Sequence, residues 1–120
     1  MTASPRLVQW SIWRVAWPNH DGTTKDRPAL VVSSTAFNDR SGEAVFMEIS
    51  TKEHPEWERF TLDATDPAFA STKLRETSHF HLEHLKRLPA SRVGHPLGHL
   101  GRMTALFLSL RLKQLGARVP

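Results

Sequence analysis

The 120-residue sequence contains no cysteine, which removes disulfides, thiolate metal sites and cysteine nucleophiles from consideration. Any chemistry must use oxygen and nitrogen groups, and a reducing cytoplasm suits such a chain. No run of about eighteen apolar residues occurs, and the start, MTASPRLVQW, lacks a charged stretch followed by a long apolar core. The expectation is a cytoplasmic protein without a membrane partner. A glycine-rich phosphate loop, a G-x-S-x-G elbow and a zinc motif are also missing, so the common enzyme signatures are absent. Acidic residues are missing from one part of the chain: residues 84–120 hold seven Lys and Arg and no Asp or Glu, against nine and 12 in residues 1–83. The net charge of +4 conceals this asymmetry. The C-terminal third reads as a basic patch for an anionic partner, or as a solvated helix face.

What is present is ordinary for a globular chain, with 39% hydrophobic and 23% charged residues. No repeat, low-complexity tract or linker divides it, and a single domain over 1–120 is expected. Residues 8–17, VQWSIWRVAW, are β-branched and aromatic and stop at Pro18, which reads as a first strand. A polar loop at 19–26 leads to a second strand at 28–34, where the missing N–H of Pro28 costs little at a strand start. A turn at 38–42, NDRSG, precedes a third strand at 44–49. Further along, a fourth strand is expected at 59–62, a short strand at 73–76, a single helical turn at 82–85 and a last short strand at 92–93. Short connections between successive strands predict a small curled antiparallel sheet or barrel, mainly β with a C-terminal helix (α+β).

That helix is expected at 101–115, ended by Gly116. Met103, Phe107 and Leu110 fall on one stripe and Leu108, Leu112 and Leu115 on another. Two stripes call for two covers, the sheet and a second subunit, or else for one wide core contact.

The candidate chemistry is sparse. His79-x-His81-x-x-His84 and His95-x-x-x-His99 have spacings that bring imidazoles onto one face, but no carboxylate joins them and Pro96 and Gly98 interrupt the second pair. They read as surface or half-buried histidines sooner than as metal ligands. By strand alternation Trp13 and Trp17 point one way and Trp10 the other, core being the favoured reading over a base-stacking platform. Glu53, Glu56 and Glu58 beside Trp57 read as a solvated acidic loop. There remain Arg27, before the second strand, and the hydroxyl pair Ser50-Thr51, after the third. In a meander these termini lie at one end of the sheet, so a guanidinium fork and a hydroxyl converge on a site fit for phosphate. A surface arginine and a turn-capping serine are the competing reading.

The ordered set IWRV, DRPALVVSS, AFN, a strand ending IST, TKLRETSHFHLEHLKRLP, a Leu-Gly step and a leucine-rich final helix resembles the MazF/PemK toxins of type II toxin–antitoxin systems, from about residue 9 to 115. The resemblance implies an SH3-like barrel with a C-terminal helix and a homodimer. It implies a sequence-specific, metal-independent endoribonuclease, an mRNA interferase that cuts single-stranded mRNA away from the ribosome and arrests growth. It further implies 2′-hydroxyl attack leaving a 2′,3′-cyclic phosphate, no cofactor, silencing by an antitoxin with an acidic segment, and DNA binding as the toxin–antitoxin complex.

Carried over residue by residue, the catalytic arginine before the proline falls on Arg27. The catalytic threonine falls on Ser50, with Thr51 next, and Lys25 and Lys52 would contribute to RNA binding. Glu48 stands where the family's pattern has proline, and Trp10-Ser11 where it has a glycine–acid pair. The alternatives are a catalytically weak or inactive RNA- or antitoxin-binding module of the same fold and a histidine-dependent metal hydrolase.

Overall fold

The computed structural model describes residues 5–120. Six strands, β1 (Ser11–Pro18), β2 (Thr24–Val31), β3 (Glu43–Ser50), β4 (Arg59–Leu62), β5 (Ser78–Pro89) and β6 (Val93–His99), form one sheet. Its order is β4-β5-β3-β2-β1-β6, with every pairing antiparallel. A short helix α1 (Thr35–Ser41) links β2 to β3, and a longer helix α2 (Arg102–Gln114) follows β6. Among the described residues β4 and β6 are edges and do not pair with each other. Among the described residues no helix is long and apolar enough to cross a membrane.

Alternation along the strands sorts the apolar residues into two cores. Ile12, Leu30 and Met47, aligned across β1, β2 and β3, are fully buried. With Ile49, Phe80 and Leu82 they meet Ala105, Leu108 and Leu112 of α2. The next residues along, Ala29, Val31, Ala44 and Phe46, join Val15, Trp17 and Leu88 in a second cluster on the other face. Burial on both faces explains why ALVV reads as a continuous apolar run. Irregular register between Met47 and Ile49 on β3, and along Ile12 to Val15 on β1, bends the strands to enclose both clusters. Trp13 and Trp17 pack with the second cluster, as alternation requires, whereas Trp10 lies in the turn before β1 at a left-handed φ of 71° and packs with the first.

Three segments depart from the sequence reading in kind, while the short strand expected at 92–93 is the seven-residue β6, with Arg92 itself in a 3-10 turn, Ala90–Arg92, before it. The expected turn at 38–42 is the end of α1, which Ser34 caps by accepting a hydrogen bond from the Phe37 N–H (3.2 Å) and Gly42 closes at φ 72°. The expected helical turn at 82–85 lies inside β5. The irregularity pairs Met47 with Leu85 but Ile49 with Phe80, so Leu82 and Leu85, three apart, both face the first cluster and imitate helical spacing. The expected strand at 73–76 does not form, because Lys73 takes a left-handed φ of 57° where the short 3-10 helix Pro67–Thr72 ends.

Of the two stripes on α2, the sheet takes Leu108 and Leu112. Met103, Leu106, Phe107 and Leu110 stay 47–76% exposed, so one wide contact does not account for this helix.

The 3-10 helix packs against β6, where the Ser71 hydroxyl donates to the His99 carbonyl (2.9 Å). Gly98 permits this approach, since a Cβ there would fall 2.6 Å from the Thr72 carbonyl oxygen. Gly98→Ala is expected to push the two backbones apart and cost about 1–3 kcal/mol, read as a lower urea midpoint. An unchanged midpoint would refute the close approach.

Candidate active site

The β2–β3 ladder pairs Val31 with Phe46, Leu30 with Met47 and Ala29 with Glu48. It stops at Pro28, which has no N–H to give. Continued by two residues, the same register sets Arg27 across from Ser50. Arg27 therefore lies inside β2, as its fourth residue, instead of ahead of it, and Ser50 is the last residue of β3. Alternation turns both toward the side that carries Ala29 and Glu48.

Arg27, Ser50 and Thr51 line one cavity of about 470 Å³. Arg14, Lys73 and Arg75 supply further positive charge to its wall, with Asp26, Glu76 and His95 between them. Lys25 and Lys52 are exposed and do not line it. The Arg14 guanidinium is committed to Asp26 (2.7 Å), and this hydrogen bond holds the Asp26 carboxyl below the usual carboxylate range. The seven basic residues beyond position 83 contribute nothing to the cavity wall. Two of them are spent on acids from earlier in the chain, Arg87 on Glu43 (2.9 Å) and Arg111 on Glu58 (3.0 Å).

Each of the two facing residues has a titratable group behind it. The Nε of Arg27 is buried without a hydrogen-bond partner and lies 3.9 Å from Glu48 Oε2, beyond hydrogen-bonding reach. The Glu48 side chain is only 12% exposed and has His84 Nδ1 at 3.7 Å from its other oxygen. Behind Ser50 is His81, whose Nε2 lies 2.7 Å from Oγ, while the same oxygen sits 3.3 Å from the Lys52 carbonyl. His81 is fully buried. Its ring meets Trp57 edge-on, and Trp57 is held between His54 and His84 at centroid distances of 3.9 and 3.7 Å.

The strand triplet His79, His81 and His84 does not converge, because each imidazole has its own partner: Thr61 for His79 (2.7 Å), Ser50 for His81 and Glu48 for His84. Among the described residues no group of three or more His, Asp or Glu is arranged to hold a metal ion. Sequence reasoning had the histidines but not the contact between Ser50 and His81, whose positions are 31 residues apart with no local signal to join them.

Burial, followed by the charges of His84, His54, His79 and Arg27, pushes the His81 pKa down to about 4 from 6.5. The unfolded chain protonates this imidazole below pH 6.5 while the folded protein resists until about pH 4. Stability that is complete above pH 6.5 is therefore lost as pH falls through this window, by up to about 3 kcal/mol. Chemical denaturation of the wild type and His81→Gln across pH 4–7 should show the wild type's extra slope there. Parallel profiles would contradict the shift.

Comparison with known proteins places this geometry in context. The family model for the PemK-like, MazF-like toxin of type II toxin–antitoxin systems matches residues 8–115. No curated protein sequence matches the chain. Among solved structures, an endoribonuclease in complex with its cognate antitoxin from a Mycobacterial species has a TM-score of 0.70 at 18% identity, over 94% of this chain and 98% of that one. The Mycobacterium tuberculosis toxin MazF-mt6 gives 0.67 at 16%, over 90% and 98%. A MazE–MazF crystal structure (Form-III) from Deinococcus radiodurans gives 0.66 at 19%, over 97% and 100%. At these identities the structural likeness is one of fold, whereas the family model spans nearly the whole sequence: the chain belongs to the PemK-like, MazF-like toxins of type II toxin–antitoxin systems.

Proposed function

We propose that the chain folds as one domain over 1–120 and is a sequence-specific, metal-independent endoribonuclease that cuts single-stranded mRNA. The observation that carries this reading is the meeting of Arg27 and Ser50 at one cavity with a basic wall. In the reaction a ribose 2′-hydroxyl gives up its proton and its oxygen bonds to the adjacent phosphorus as the bond to the 5′-oxygen breaks and that oxygen takes up a proton, leaving a 2′,3′-cyclic phosphate and a 5′-hydroxyl. Negative charge builds on the nonbridging oxygens and needs donors already in place. Arg27 offers the terminal fork of its guanidinium, while its Nε is buried beside Glu48. Ser50, or Thr51 beside it, adds a hydroxyl. A guanidinium stays protonated, so Arg27 clamps and stabilises and does not act as a base. Lys73 and Arg75 attract the RNA backbone, with Lys25 and Lys52 adding positive potential outside the cavity.

The partners follow from the same reading. One structural relative is crystallised with a cognate antitoxin and another as a MazE–MazF assembly, which supports an acidic antitoxin segment as the natural competitor for this cavity. The open apolar stripe on α2 supports a homodimer.

Glu48 favours a second reading, that of an RNA- or antitoxin-binding module that does not cut. Its carboxylate, 3.9 Å from Arg27, competes with phosphate for the same charge. End-labelled single-stranded RNA incubated with the protein in EDTA separates the two. Discrete cuts with cyclic phosphate ends, reduced about 10²–10³-fold by Arg27→Ala, support the nuclease. Intact RNA that shifts on a native gel supports the module, and cutting that EDTA stops would refute metal independence. Glu48→Gln is expected to tighten RNA binding up to about fivefold, the size of an ion pair worth ~1 kcal/mol. Weaker binding would mean that Glu48 orients Arg27 instead of competing for it.

A further inference from the structure

His81 has no part in the reaction just proposed, yet it makes the closest polar contact to Ser50, at 2.7 Å. A serine hydroxyl has one hydrogen to donate and two lone pairs to accept with. The Lys52 carbonyl, 3.3 Å from Oγ, can only accept, so it takes that hydrogen in the free protein. The contact to the imidazole is then made by Nε2–H donating to Oγ. A neutral ring in that tautomer carries its bare lone pair on Nδ1, the nitrogen that has no partner. The opposite tautomer leaves a buried N–H unpaired, the rarer kind of unmet group, and turns the serine proton inward, away from the cavity.

The surroundings keep this arrangement fixed. The cationic or ionisable neighbours of His81, namely His84, His54, His79 and Arg27, all oppose an imidazolium, and its pKa near 4 keeps the ring neutral at physiological pH. Trp57 stands edge-on at 5.0 Å and limits rotation of the ring. Serine also lacks the methyl group that stiffens threonine about χ1, so a hydroxyl at position 50 needs some other restraint to keep its aim.

We infer that His81 is a positioning residue, whose Nε2–H holds the Ser50 oxygen and leaves the hydroxyl proton free to reach an anionic oxygen in the cavity. On RNA binding that proton leaves the Lys52 carbonyl for a nonbridging phosphate oxygen while the histidine bond persists. The inference rests on the reading of Ser50 as a donor to the scissile phosphate.

Two measurements test it. Nitrogen-15 NMR of the wild-type protein at pH 7 should show His81 protonated on Nε2 and bare on Nδ1, with the Nε2 resonance moved by Ser50→Ala. In single-turnover cleavage, His81→Leu should lower the rate at saturating RNA about 10–100-fold, with little change in the RNA concentration at half-saturation. His81→Gln, whose amide N–H reaches the Nε2 position, should recover most of the rate, and His81→Leu should add no loss in a Ser50→Ala background. An Nδ1–H tautomer, wild-type rates in a folded His81→Leu, or additive losses in the double variant would each overturn the inference. If the wild type cuts no RNA, the nuclease reading fails by itself, and the tautomer still decides whether His81 positions Ser50.

Discussion

The pairing of β2 with β3 is the constraint on which the rest depends. Leu30 with Met47 and Val31 with Phe46 are fully buried pairs that point into opposite cores. A slip of one residue would send each set to the wrong face, so the register is fixed by burial far more strongly than by any polar group at the strand ends. Arg27 and Ser50 inherit their juxtaposition from that register. Pro28 ends the ladder between them and the core, freeing the backbone where the cavity opens.

Beyond the ladder the site is a balance of opposed charges. Arg27 is the group best suited to phosphate, yet a largely covered carboxylate, that of Glu48, stands near enough to weaken its field. The other cavity cations come from the turn after the 3-10 helix and from β1, and Arg14 is already matched by Asp26. The Lys and Arg residues of the C-terminal third therefore play no direct part in the cavity, and their visible surplus of charge is a feature of the outer surface and of α2. Histidines pack behind the two facing residues, His81 against Ser50 and His84 against Glu48. His81 meets Trp57 edge-on, and burial keeps it uncharged, so it adds no charge beside Arg27.

Much of this was legible in the sequence, and the exceptions have physical causes. β1, β3 and β4 follow from β-branched and aromatic runs with clear stops at Pro18, Gly42 and Asp63. The convergence of Arg27 with Ser50 and Thr51 followed from meander geometry, although β2 begins at Thr24 and so takes Arg27 into the strand. α1 was missed because its seven residues are too few to show a period, though Ser34 and Gly42 were both present as caps. β5 was misread because the irregularity opposite Met47 spaces its inward residues like a helix. The partner of Ser50 was out of reach, since nothing local to residue 50 points to residue 81.

The most direct test of the account is a structure of the protein with single-stranded RNA made uncleavable by 2′-O-methylation at the scissile nucleotide. The account expects the methylated nucleotide's phosphate in the cavity, with nonbridging oxygens within hydrogen-bonding distance of the Arg27 guanidinium and the Ser50 hydroxyl. A phosphate seated elsewhere, with Arg27 still turned to Glu48, would contradict it.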